Sequence, residues 1–98
     1  MNITKKMNGT ALEIAVEGRL DTMTAPELEQ EVNSSLDGVT ELIMDFEKLD
    51  YISSAGLRVL LSAQKQMSKQ GSMKVIKVSD LVMEVFEVTG FTDILTIE

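Results

Sequence analysis

The sequence predicts an α/β fold: a single domain over residues 1–98, built on a mixed β-sheet with helices mostly on one face, in the order β-β-α-β-α-β-α-β. Three observations predict it. An Asn-Gly step near the N-terminus leads into an alternating apolar strand. Segments of helical period, each with start and stop residues, then alternate with short apolar strands. No linker, repeat or low-complexity tract divides the 98 residues. Strand and helix alternation returns the chain to the sheet through right-handed crossovers. A chain of this length supports one core and not a second.

Asn8-Gly9 is a strong hairpin signal, and Leu12, Ile14 and Val16 alternate with Glu13, Ala15 and Glu17. A short first strand should therefore turn into a half-buried second one. In "TAPELEQEVNSSLDG", Thr24 stands three residues before Glu27, which predicts a capping box, and Pro26 falls in the first turn, where its missing N–H does no harm. Leu28, Val32 and Leu36 recur every four residues on the inner face of that helix, Glu27, Glu29, Gln30 and Glu31 face outward, and Gly38 closes it. "TELIMDF" is almost continuously apolar, the pattern of a central strand covered on both faces. Leu57, Leu60, Leu61 and Met67 keep helical spacing up to a stop at Gly71. "MKVIKV" reads as a strand, Ser79 caps a third helix carrying Leu81, Val82, Val85 and Phe86, Gly90 ends it, and "DILTI" supplies the last strand.

Composition narrows the function. Hydrophobic residues make up 44% and charged residues 26%, as in a folded domain. The seven methionines are scattered, and so read as core filling where only four aromatics are present. With 16 acidic and 9 basic residues the net charge is −7, which repels nucleic acid and anionic membrane surfaces. No apolar run approaches a bilayer span, and "MNITKKMNGT" lacks the apolar stretch of a signal peptide, so a cytoplasmic location is expected. Without cysteine there are no disulfides, thiolate metal sites or thiol nucleophiles; without histidine there is no Ser-His-Asp triad. The expectation is a protein that is not an enzyme and needs no cofactor.

The stretch "DYISSAGLRVLL" holds the residues left to explain. Ser53 and Ser54 fall where the chain enters the second helix, and either could cap it by accepting a first-turn N–H. The same N–H groups and positive dipole end also suit a phosphate, so a serine there is open to modification with little backbone change. A serine nucleophile lacks a base, and neither the G-x-S-x-G nor the P-loop pattern is present. Gly56 is read as allowing close approach of the helix start to the sheet.

"LIMDFEKLDYISSAGLRVLLSAQK" and "VEGRLDTMTAPEL" together resemble the two signature blocks of the STAS domain, in particular of bacterial anti-sigma-factor antagonists. The resemblance covers nearly the whole chain. It implies a binding switch whose phosphoacceptor is the residue two before the glycine, Ser54, with Ser53 as competing acceptor. Partner binding falls by the same resemblance on Asp21, Thr24, Asp50, Ser53, Ser54, Ala55, Gly56 and Arg58. Members often carry an acidic residue before the acceptor; here Ser53 stands there.

The implied partners are an anti-sigma factor that is itself a serine kinase using ATP, and a PP2C-type phosphatase that resets the switch. A second reading within the family is a STAS subunit of an ABC-type lipid transport complex. A third, outside it, is a phosphoaspartate receiver with Asp45 as acceptor and Asp50 or Glu47 holding magnesium, but a receiver needs paired acids after its first strand, and "VEGRLD" offers only Asp21.

Overall fold

The structure, a computed structural model, describes residues 1–98. Strands β1 (Asn2–Asn8) and β2 (Ala11–Leu20) form the expected hairpin, paired antiparallel from Asn2 opposite Glu17 to Asn8 opposite Ala11. The loop is Gly9-Thr10, with positive φ at Gly9 alone, so the turn begins one residue later than the Asn-Gly signal suggests. Glycine at the first loop position is what a II′ turn requires. Helix α1 (Ala25–Ser35) follows, then β3 (Glu41–Asp45), β4 (Leu49–Ile52), α2 (Ser54–Gln70), β5 (Ser72–Ile76) and α3 (Asp80–Thr89). The strand order is β1-β2-β3-β5, with β4 also on β2, and every pairing after the hairpin is parallel.

The element order agrees with the expectation, with two refinements. β4 is an added strand. Ala15 pairs with Asp45 and Gly18 with Leu49, then Arg19 with Tyr51, so β4 continues the path of β3 along β2 and Asp50 is the unpaired residue of a bulge. The last strand is reduced to one parallel bridge between Val75 and Ile97, because a turn of 3-10 helix at Phe91–Asp93 uses the residues before it.

The expectation that the third strand is covered on both faces is corrected. In β2, β3 and β5 the buried residues fall on one face: Leu12, Ile14, Val16, Leu20, Leu42, Met44, Met73 and Val75. Their neighbours Glu13, Ala15, Glu41, Ile43, Asp45, Lys74 and Ile76 stay partly open. This is the signature of a sheet whose helices all lie on one side. That side holds one core of 24 buried hydrophobic residues and no buried polar residue. Ala25, Leu28 and Val32 of α1, Leu57, Leu60, Ala63 and Met67 of α2, and Val82 and Phe86 of α3 fill it.

Helix ends settle differently from one another. Ser79 caps α3 as predicted, accepting from the Val82 N–H at 3.3 Å. Thr24 does not form the capping box, since its side chain makes no cap bond to α1. Gln70, at the end of α2, donates from Nε2 to the carbonyls of Leu36 and Val39 at 2.7 Å each, satisfying backbone acceptors just past the end of α1.

Candidate functional site at the start of helix α2

The end of β2 and the end of β4 run side by side and deliver two helix starts to one surface. Leu20 pairs with Ile52, and the Ser53 N–H donates to the Leu20 carbonyl at 2.9 Å. Gly56 permits the closeness. A Cβ there would lie 2.7 Å from Leu20 Cγ and 2.9 Å from Ile52 Cγ1, both on buried side chains. Gly56 is itself buried, so its part in the site is to seat the helix and not to touch a partner.

The two serines come out unlike each other. Ser53 is the residue before the helix, with extended backbone, and its carbonyl accepts from the Leu57 N–H at 2.9 Å. Its Oγ is buried and has no hydrogen-bond partner. Ser54 is the first helical residue and is exposed. The capping expectation therefore fails for both: no side chain caps α2, and no acidic residue sits in its first turn. The unpaired N–H groups and positive end of a 17-residue helix are left without a negative group beside an exposed hydroxyl.

Asp21 and Thr24 build the neighbouring loop from within. Asp21 Oδ1 accepts from the N–H groups of Met23 at 3.0 Å and Thr24 at 3.1 Å. The Thr24 hydroxyl accepts from the Asp21 N–H at 2.9 Å, and its single proton lies between the Arg19 carbonyl at 2.7 Å and Asp21 Oδ1 at 3.2 Å. Partial desolvation pushes the Asp21 carboxyl up, but the Thr24 and Met23 N–H groups, the Thr24 hydroxyl and the Arg19 guanidinium outweigh it and hold the pKa below the ordinary carboxylate value. The Thr24 hydroxyl is thus consumed by the loop.

Arg19 emerges here without a signal in the primary sequence. Its guanidinium stacks 4.3 Å above the Tyr51 ring, a contact created by the register of β2 with β4, and approaches the nearby Asp21 Oδ2 at 3.7 Å. Between the starts of α1 and α2 lies a shallow groove, lined by Thr22, Pro26 and Glu29 on one side and by Ala55, Arg58 and Val59 on the other. Ala55 and Arg58 therefore join the site. Asp50, exposed at its bulge, stands on the strand that leads into Ser53. Asp45 lies elsewhere: its Oδ1 accepts from the Glu47 N–H at 2.9 Å, and it shares Lys77 with Glu47 at 3.8 and 3.6 Å. No three carboxylates converge there in a manner able to hold a metal ion.

The model of the STAS domain matches residues 2–98. The chain belongs to the STAS domain family. Among related STAS proteins, BtrV of Bordetella bronchiseptica is 35% identical over 99 residues, covering 99% of this chain and 85% of the relative. The anti-sigma-B factor antagonist of Bacillus subtilis is 28% identical over 98 residues, covering 99% and 90%. Among solved structures, the anti-sigma factor antagonist SpoIIAA superposes in its unphosphorylated form with TM-score 0.85 at 20% identity, covering 99% of this chain and 88% of that one. The phosphorylated form of SpoIIAA from Bacillus gives 0.76 at 19%, covering 99% and 91%. No helix of the STAS domain described here is long and apolar enough to cross a membrane.

Proposed function

We infer that this STAS domain is an anti-sigma factor antagonist, a binding switch controlled by phosphorylation of Ser54. The observation that carries the choice of residue is the contrast between an exposed Ser54 and a Ser53 whose Oγ is buried. A kinase must bring the γ-phosphorus of ATP in line with the hydroxyl, which is open only to the exposed serine. The names of the relatives, anti-sigma-B factor antagonist among them, support the class of partner. The existence of a phosphorylated SpoIIAA supports modification as the means of control.

In this reading the unmodified chain binds an anti-sigma factor and so frees the sigma factor. The anti-sigma factor, acting as a serine kinase, transfers the γ-phosphoryl group of ATP to Ser54 Oγ; the hydroxyl proton leaves to the kinase and ADP is released. A PP2C-type phosphatase hydrolyses the new O–P bond and restores the hydroxyl. Phosphate adds about −1.5 to −2 charges. Against a partner fitted to a neutral hydroxyl, each ~1.4 kcal/mol lost is tenfold in affinity, so a modest clash releases the complex. Arg58, four residues on and exposed, stands where it tempers the added charge on the free chain.

Tandem mass spectrometry after incubation with the cognate kinase and ATP tests the acceptor. Phosphate is expected on Ser54 alone, Ser54→Ala should stay bound in ATP, and Ser54→Asp should bind poorly. Phosphate on Ser53, or equal affinity of the Ala and Asp variants, would refute the reading.

A further inference from the structure

We infer that Met23 is the apolar anchor through which this domain grips its anti-sigma factor, with Asp21 as the positioning residue that holds it out; this rests on the antagonist reading above. Met23 is 87% exposed, the most open of the large hydrophobic side chains. It lies outside the core and outside the hydrophobics packed against it, so its apolar surface contributes nothing to folding. Yet its backbone is fixed. Its N–H is held by Asp21 Oδ1 at 3.0 Å, and the Ala25 N–H closes the turn on the Asp21 carbonyl at 2.8 Å. The Thr24 hydroxyl ties the same turn to Arg19.

A loop bonded in this way has little freedom left to lose on binding, which lowers the entropic cost of association. Methionine is unbranched and polarisable, suited to filling an apolar pocket on a partner. Met23 follows Thr22, which lines the groove, and Ser54 precedes Ala55, which lines it too. The groove thus joins the two loops, and a protein that takes Ser54 into a kinase site and reaches across the groove meets Met23 on its far side. The groove wall carries both signs, Glu29 on α1 and the exposed Arg58 on α2, so the polar rim beside Met23 suits a partner that brings charged groups to an apolar centre. The occupant is thus the anti-sigma kinase itself, with an apolar pocket for Met23.

The test uses the kinase captured by the Ser54→Ala chain, identified and then purified, in binding titrations with the full chain. Met23→Gln, close in size but polar, should weaken binding roughly tenfold or more, while Met23→Leu should stay within about threefold. Both variants should melt at the wild-type temperature. In a double-mutant cycle, Asp21→Ala, which removes the Oδ1 acceptor of the Met23 and Thr24 N–H groups, should weaken binding in the Met23 background and have little further effect once Met23 is Gln. Wild-type binding with Met23→Gln equal to it overturns the anchor and leaves the antagonist reading standing. Additive effects of Asp21→Ala and Met23→Gln overturn the positioning role. No binding of the wild type to any anti-sigma kinase overturns the inference together with the reading on which it rests.

Discussion

Adding one methyl group at Gly56 probes the joint between fold and site. Gly56 sits in the first turn of α2, and an alanine Cβ would lie 2.7 Å from Leu20 Cγ, 2.9 Å from Ile52 Cγ1 and 3.0 Å from Leu20 Cδ2. Ordinary carbon contacts begin near ~3.5 Å. Leu20 and Ile52 are 0% and 2% exposed, so neither has open space to move into, and the atoms met first are near the stem of each side chain. Overpacking of this kind costs about 1 to 3 kcal/mol. Replacing glycine by alanine in a helix returns about 0.5 to 1 kcal/mol. The clash wins, and the net loss is about 1 kcal/mol. For a domain of this size that corresponds to a fall in Tm of roughly 4 to 8 °C, measured by calorimetry. Affinity for the anti-sigma factor should fall as well, because the same shift moves Ser54. An unchanged or raised Tm would refute the close-approach role of the glycine. Gly71→Ala is the severe comparison, since its Cβ would fall on the Thr40 carbonyl, which is backbone and cannot turn aside.

Three further outcomes follow from the site. Ser53→Ala removes a buried hydroxyl with no partner, so urea denaturation should show stability unchanged or raised by up to about 1 kcal/mol; a loss beyond that would show that the hydroxyl is satisfied. Asp21 has a pKa lowered on folding, so its stabilisation is fully present above its unfolded value of about 3.9 and is lost as pH falls through the lower folded value. Melting curves of the wild type should therefore drop more steeply in that acid window than those of Asp21→Asn, and parallel curves would refute the assignment. Phosphorylated chain should melt at an unchanged or slightly raised temperature, since charge at an exposed helix start contributes about 0.3 to 1 kcal/mol, while its affinity for the anti-sigma factor falls more than tenfold. A large fall in Tm would place Ser54 in the core.

Features encoded in local period and local chemistry were legible in the chain alone. The alternation in β2, the four-residue spacing of Leu28 and Val32 in α1, the Ser79 cap and the Gly90 stop each depend on residues a few positions apart, and each formed as read. The STAS blocks were legible for the same reason, as contiguous strings with a fixed spacing. Whatever depends on register between distant strands came from the folded chain. The bulge that adds β4 and leaves Asp50 unpaired, the stacking of Arg19 on Tyr51, and the docking of Ser53 on Leu20 all require β2 to meet residues some thirty positions away. Helix starts were the least legible. Thr24 and Ser53 carry the residue types that cap helices, but a hydroxyl bonds whichever partner the packed chain brings nearest. For Thr24 that was the Arg19 carbonyl, and for Ser53 packing against the sheet left none. The distinction between a Ser53 whose Oγ is buried and an open Ser54 arises in the same way: adjacent, chemically identical side chains differ only in which way the helix start is turned against the sheet.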